Sequence, residues 1–145
     1  MNPSWIYFDT SSYIKVYVKE KGSLKARNLL KNKRIVSSII LQAECFCALS
    51  MKHHRGEIDE RDLKTLINQI KGDRKHLDII NLTDDVIKKV ESIALNSNTR
   101  ILDAIHIASA LIFQDSLEIT LPFITSDKIQ YEIANGQGLE TVLVG

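Results

Sequence analysis

A chain of 145 residues that is 44% hydrophobic is long enough to bury one core, and no shift in composition marks a second, so residues 1–145 read as a single domain. Its 19 Lys and Arg against 18 Asp and Glu leave a net charge of +1, which excludes the diffuse basic surface of a general nucleic-acid packaging protein; any polyanion has to bind a local patch. The N-terminus shows no basic segment leading into a signal-like apolar stretch, and no apolar run approaches the ~20 residues of a membrane span, so a soluble, cytoplasmic protein is expected.

Residues 5–9 read as a short buried strand, followed by the turn-prone Thr10-Ser11-Ser12 and a helix through about Lys19, with a break at Gly22. Ser23 caps a second helix through Leu29 and Leu30. Ile35-Val36-Ser37 makes a short strand, and Ser38 caps a long helix that runs to about His54 and ends at Gly56. Asp59 begins another helix, with Leu63, Leu66, Ile67 and Ile70 at three- and four-residue spacing, which stops near Gly72. Leu77–Ile80 suggests a strand, Thr83 caps the next helix, and the loop 96–99 leads into an apolar helix from about Arg100 to Phe113. A strand over Leu121–Thr125, a helix from about Asp127 to Ala134 and a strand over Thr141–Val144 finish the chain. Short apolar strands separated by helices argue for an α/β fold with a parallel sheet covered on both sides. Cys45 and Cys47, one residue apart on a helix, point roughly 200° apart, too far to bridge, and read as core thiols.

Four acidic residues stand in positions where a bland domain would not place a charge. Asp9 closes the run Trp5-Ile6-Tyr7-Phe8 and Asp127 follows Leu121-Pro122-Phe123-Ile124, so both fall at the carboxyl ends of strands, where ligands bind in such sheets. Glu44 lies on a helical stripe with Ile40, Leu41, Cys47, Ala48 and Met51, and Asp103 shares a face with Arg100, His106 and Ile107. Each has an ordinary alternative. Asp9 and Asp127 suit helix N-caps, Glu44 can lay its stem on the core edge, and Asp103 can pair with Arg100 in a first helical turn. Taken together they suggest a shared counter-ion, because an isolated buried carboxylate costs several kcal/mol or more. Oxygen ligands without His or Cys suit Mg2+ or Mn2+, one or two ions, and disfavour zinc. Such ions activate water and neutralise charge on a phosphodiester, which points to phosphodiester hydrolysis.

The stretches YFDTSSYIKVYVKE, QAECFCAL, RILDAIHIASAL and ITSDKIQYEIANGQGLETVLV resemble, in order and spacing, the four motifs of PIN-domain ribonucleases. Within that family the chain looks most like the VapC-type toxins of bacterial and archaeal toxin–antitoxin pairs. The resemblance covers the chain end to end and implies a Rossmann-like three-layer α/β/α sandwich. It also implies a Mg2+- or Mn2+-dependent endoribonuclease whose metal-binding and catalytic residues are Asp9, Glu44, Asp103 and Asp127. Asp9 and Asp103 would be the principal ligands, Glu44 a ligand or the group orienting the attacking water, and Asp127 a ligand directly or through water. Ser11, Thr125 and Ser126 supply hydroxyls beside these acids, and Lys15 offers a cation for the substrate. A cognate antitoxin placing an Arg among the carboxylates, and a homodimer, follow from the same resemblance.

Two basic clusters, Lys21 to Arg34 and Lys71 to His76, either hold RNA phosphates or form solvated faces. His53, His54 and His106 read as structural. Two other functions compete: a PIN fold that only binds RNA or protein, and an aspartate-based phosphatase, which Asp9-Thr10-Ser11 disfavours because it lacks that pattern's second acid.

Overall fold

Alternate residues of the first strand face opposite ways, and two cores grow from that alternation. In this computed structural model, which describes residues 4–145, β1 (Ser4–Phe8) sends Ile6 and Phe8 into one apolar cluster and Tyr7 into another. The same holds for β4 (Pro122–Thr125), with Ile124 on the first side and Phe123 on the second. Both strands are buried on both faces, as the continuous apolar runs require.

Five parallel strands form the sheet: β2 (Lys33–Ser38), β3 (Leu77–Ile80) and β5 (Glu140–Leu143) join β1 and β4 in the order β3-β2-β1-β4-β5. The chain first steps outward from β1 to β3 through α1 (Thr10–Tyr17), α2 (Ser23–Leu30), α3 (Leu41–His54) and α4 (Glu60–Asp73), all contributing to the core around Ile6 and Phe8. It then crosses back through α5 (Asp84–Asn96) and α6 (Ile101–Leu117) to β4, and through α7 (Lys128–Gly136) to β5. These last three helices contribute to the core around Tyr7 and Phe123. Right-handed crossovers explain the division: reversing the direction of travel along the sheet moves the covering helices to its other face. The result is the expected three-layer α/β/α sandwich. Among the described residues no helix is long and apolar enough to cross a membrane.

Element limits depart from the sequence expectation where caps were misjudged. Ser38 belongs to β2 and α3 starts from Ile40 with no side-chain cap; the Ser38 hydroxyl only accepts from Ile40 N at 3.3 Å. Ser23 sits inside α2, its hydroxyl donating back to the Val18 carbonyl, and Gly22 is the cap. The last apolar helix continues past Phe113 to Leu117, where Glu118 takes a left-handed conformation. Cys45 is buried as expected, but Cys47 is exposed.

Gly22 (φ +92°) is required both by its backbone angle and by space, since a Cβ there would lie 2.7 Å from Gly145 N and 2.8 Å from Gly145 Cα. Gly22→Ala should therefore lower unfolding free energy by about 1–2 kcal/mol in urea titrations, whereas Gly72→Ala in α4, where a Cβ meets nothing, should raise it by about 0.4–1 kcal/mol.

Candidate active site

Adjacent strands β1 and β4 send their connections to opposite faces of the sheet, β1 to α1 and β4 to α7, and this opens a crevice at their carboxyl ends. Asp9 and Asp127 stand at that crevice as the N-caps of α1 and α7. The other two acids occupy first helical turns, Glu44 in α3 and Asp103 in α6. All four line one cavity of about 370 Å³, together with Thr10, Ser11, Cys47, Ala48, Met51, Leu102 and His106. The helical stripe around Glu44 is thus a cavity wall: Cys47, Ala48 and Met51 border the opening, while Leu41, Cys45 and Leu49 of the same helix face the core.

Local hydrogen bonds aim the carboxylates. Asp9 is only 4% exposed, and Oδ1 accepts from Ser11 Oγ at 2.8 Å, Ser12 N at 3.0 Å and Ser12 Oγ at 3.0 Å, while Oδ2 takes none of these bonds. Asp127 Oδ1 similarly accepts from Ile129 N at 2.9 Å and Gln130 N at 3.2 Å. Capping and a role in the cavity are therefore compatible, because each cap uses one oxygen of its carboxylate. Buried Gln130 also donates through Nε2 to the Asp103 carbonyl at 2.9 Å, tying the start of α6 to the start of α7. Glu44 Oε1 accepts from Thr10 Oγ1 at 2.6 Å and lies 2.6 Å from His106 Nε2. Asp103 meets Arg100 Nε at 3.6 Å, an open pair in which the Arg side chain is 86% exposed.

The electrostatics show one anionic site. Burial pushes Asp9 above the usual carboxylate range against the opposing pull of His106, Thr125, Ser11 and Ser12. Burial also raises Asp103; Arg100 opposes it, and the charges of Asp127 and Asp9 add to it. Glu44 goes the other way: burial alone would raise it, but hydrogen bonds and charge from His106, with the Thr10 hydroxyl, hold it low.

Of the further residues expected at the site, Ser11 lines the cavity, whereas Thr125, Ser126 and Lys15 do not. Thr125 is fully buried, its hydroxyl 3.2 Å from Ser11 Oγ and accepting from Asp127 N at 3.1 Å. Ser126 donates to Ser11 Oγ through its backbone N–H and to Ser11 O through its hydroxyl. These hydroxyls knit the two strand ends together. Lys15 points away, toward Glu20 Oε1 at 3.2 Å and the Lys21 carbonyl at 2.7 Å. Lys33 and Arg34 begin β2, and Arg74, Lys75 and His76 immediately precede β3, so these basic residues gather at the amino edge of the sheet, opposite the cavity. Sequence reasoning missed the place of Thr10 and above all His106 at the cavity, the latter of which it reads only as structural, and the bond of Gln130 to Asp103. The available signal was the placement of His106 three residues after Asp103, on the same helical face.

As a metal centre the site has the donor chemistry of a hard cation: four carboxylates, with one oxygen each of Asp9 and Asp127 left aside by the caps. Among the described residues no three His, Cys, Asp or Glu side chains close into a tight ligand group.

The sequence of residues 6–136 matches the PIN domain family. No curated protein matches the chain by sequence. Its fold is similar to that of a chain in a toxin–antitoxin complex from Klebsiella pneumoniae, with a TM-score of 0.67 at 16% identity over 94% of this chain and 95% of that one. A second similar structure is a member of the VapBC family of toxin–antitoxin systems, VapBC-5 from Mycobacterium tuberculosis, with a TM-score of 0.62 at 14% identity over 98% of both chains. A protein from Pyrobaculum aerophilum aligns with a TM-score of 0.59 at 16% identity over 98% of this chain and 91% of that one. At such identities the structures speak for the fold alone, while the match over nearly the whole sequence settles the family: this chain belongs to the PIN-domain family.

Proposed function

We propose that this PIN domain is a metal-dependent endoribonuclease of the VapC type, the toxin of a toxin–antitoxin pair. The observation that carries the proposal is the convergence of Asp9, Glu44, Asp103 and Asp127 on one cavity at the switch point of the sheet. Family membership and the similarity to chains from toxin–antitoxin complexes support it. Mg2+ or Mn2+ held here would supply Lewis acidity toward the phosphodiester and toward the attacking water. The chain's own residues do the rest. Asp9 and Asp103, whose ionised forms are disfavoured by burial, are the principal ligands, and an incoming cation relieves that cost. Asp127 adds a ligand directly or through water, held in aim by its cap on α7. Glu44, held low by His106 and Thr10, is a ligand or orients the water for attack.

Inhibition follows from the same charges. An antitoxin Arg entering the cavity would pair with the carboxylates that otherwise hold metal, and the apolar border of Met51 and Leu102 would receive neighbouring apolar side chains. The resemblance to VapC-type toxins supports self-association as a homodimer.

Purified protein free of any antitoxin should cut end-labelled cellular RNA at discrete positions with Mn2+ or Mg2+ and stop with EDTA; Asp9→Asn and Asp103→Asn should each be slower by about 100-fold or more. RNA that is bound but left intact under every metal condition would support the binding-module alternative instead.

The raised carboxyls give a stability test as well. A group whose folded-state pKa is raised stabilises the fold below its unfolded value, and that contribution is lost as pH rises through the folded value. At pH 7 in EDTA the wild type therefore carries a penalty at Asp103 that Asp103→Asn removes. The side chain is 33% exposed, so screening reduces the effect, and a rise in Tm of about 1–3 °C is expected. The difference should close as pH falls below about 4, and added Mg2+ should raise the wild-type Tm more than that of the variant.

A further inference from the structure

Within α6 the residues from Ala104 to Leu111 are all buried, and only His106 and Ser109 among them are polar. An imidazole in such a place is costly unless both ring nitrogens find partners. His106 is 2% exposed and both nitrogens are satisfied: Nδ1 lies 2.8 Å from the Tyr7 hydroxyl, and Nε2 lies 2.6 Å from Glu44 Oε1 and 3.2 Å from Thr10 Oγ1. Tyr7 is itself fully buried, stacked on Phe123 with ring centroids 5.2 Å apart, so its hydroxyl is fixed by the centre of the sheet.

The direction of these bonds follows from the chemistry of the acceptor. Glu44 Oε1 already accepts from the Thr10 hydroxyl and stands 2.6 Å from Nε2, so it is the acceptor there too, and Nε2 carries the hydrogen and donates to it. In the Nε2–H tautomer Nδ1 is bare, and the Tyr7 hydroxyl, 2.8 Å away, fills it by donating to it. Thr10 Oγ1 donates to the same Oε1 at 2.6 Å. Both donors therefore fall on one oxygen of Glu44, and Oε2 receives neither.

We propose that Tyr7 and His106 are positioning residues for Glu44: the Tyr7 hydroxyl selects the Nε2–H tautomer of His106, which together with Thr10 pins Glu44 Oε1 and leaves Oε2 as the single oxygen offered to the cavity. Glu44 then serves through one oxygen and cannot close on a cation with both. This inference rests on the nuclease function proposed above and deepens it, since outer partners of this kind commonly tune metal affinity and activity 10–100-fold.

Three measurements test it. In the metal-free protein, long-range proton–nitrogen NMR should show the His106 ring with hydrogen on Nε2; the Nδ1–H tautomer in the wild type would overturn the proposal. In Mn2+ titrations by calorimetry, His106→Ala should bind the ion about 10–100-fold more weakly, Tyr7→Phe should show a smaller loss, and His106→Gln, whose amide can donate from nearly the same place as Nε2, should recover part of it. In RNA cleavage the same order should appear in kcat, with KM unchanged. Tyr7→Phe retains the packing of the core and keeps the test decisive if His106→Ala does not fold. Variants with lowered Tm but wild-type Mn2+ affinity and kcat would assign the triad to stability and overturn the proposal while leaving the nuclease intact. A wild type that neither binds Mn2+ nor cleaves RNA would remove the nuclease function, and this inference with it.

Discussion

Gathering four carboxylates around one cavity is the interaction on which the rest of the structure depends. Burial pushes Asp9 and Asp103 up, and at Asp103 the charges of Asp127 and Asp9 add to that push. Four helix N-termini make it tolerable. Asp9 and Asp127 cap α1 and α7, and Glu44 and Asp103 ride in the first turns of α3 and α6, so every acid stands where unpaired backbone N–H groups and the helix dipole favour negative charge. The parallel sheet supplies three of these termini, because α1, α3 and α7 follow the carboxyl ends of β1, β2 and β4 and begin on the same edge; α6 follows α5, and the Gln130 bond to the Asp103 carbonyl ties its start to that of α7.

Rigidity at that edge comes from small polar residues. Ser11 is the hub: its hydroxyl donates to Asp9, accepts from Ser126 N and lies near Thr125, while its carbonyl accepts from the Ser126 hydroxyl. Ser12 adds a bond from its hydroxyl to the Ile124 carbonyl at 2.6 Å, so β1 and β4 are joined beyond the end of their ladder. Gln130 carries the same tie to the backbone of Asp103. A site whose charges repel needs such a frame, since otherwise the crevice would relax by opening. The four acids are not equivalent within it. Asp9 and Asp103 are uneasy as anions and suited to receive a cation, whereas Glu44 is stabilised as an anion from behind by His106 and Thr10.

Much of this was legible in the residues. The apolar runs ending in Asp9 and preceding Asp127 mark buried parallel strands because a strand covered on both faces has no polar alternation to lose. The helical stripe under Glu44 was visible too, but its meaning was not: Cys47, Ala48 and Met51 look like core positions and prove to be cavity wall. Helix starts without strong caps, at Ile40 and Gly22, were misplaced because a nearby serine was the better local candidate, and tertiary packing overrode it. His106 reads as structural, and it is buried; its bond to Glu44 spans 62 positions of sequence and leaves no local trace.

By itself the sequence determined the order of strands and helices, the α/β class and the family, and it singled out the four acids that line one cavity, because each of these rests on local periodicity or on short motifs. Tertiary structure alone decided which oxygens face the cavity, that Thr125, Ser126 and Lys15 stand outside it, and that Tyr7, His106, Glu44 and Thr10 form one chain of hydrogen bonds. The physical reason is that hydrogen-bond direction and burial are properties of side chains brought together by the crossing connections of the sheet, across separations that no helical or strand period encodes.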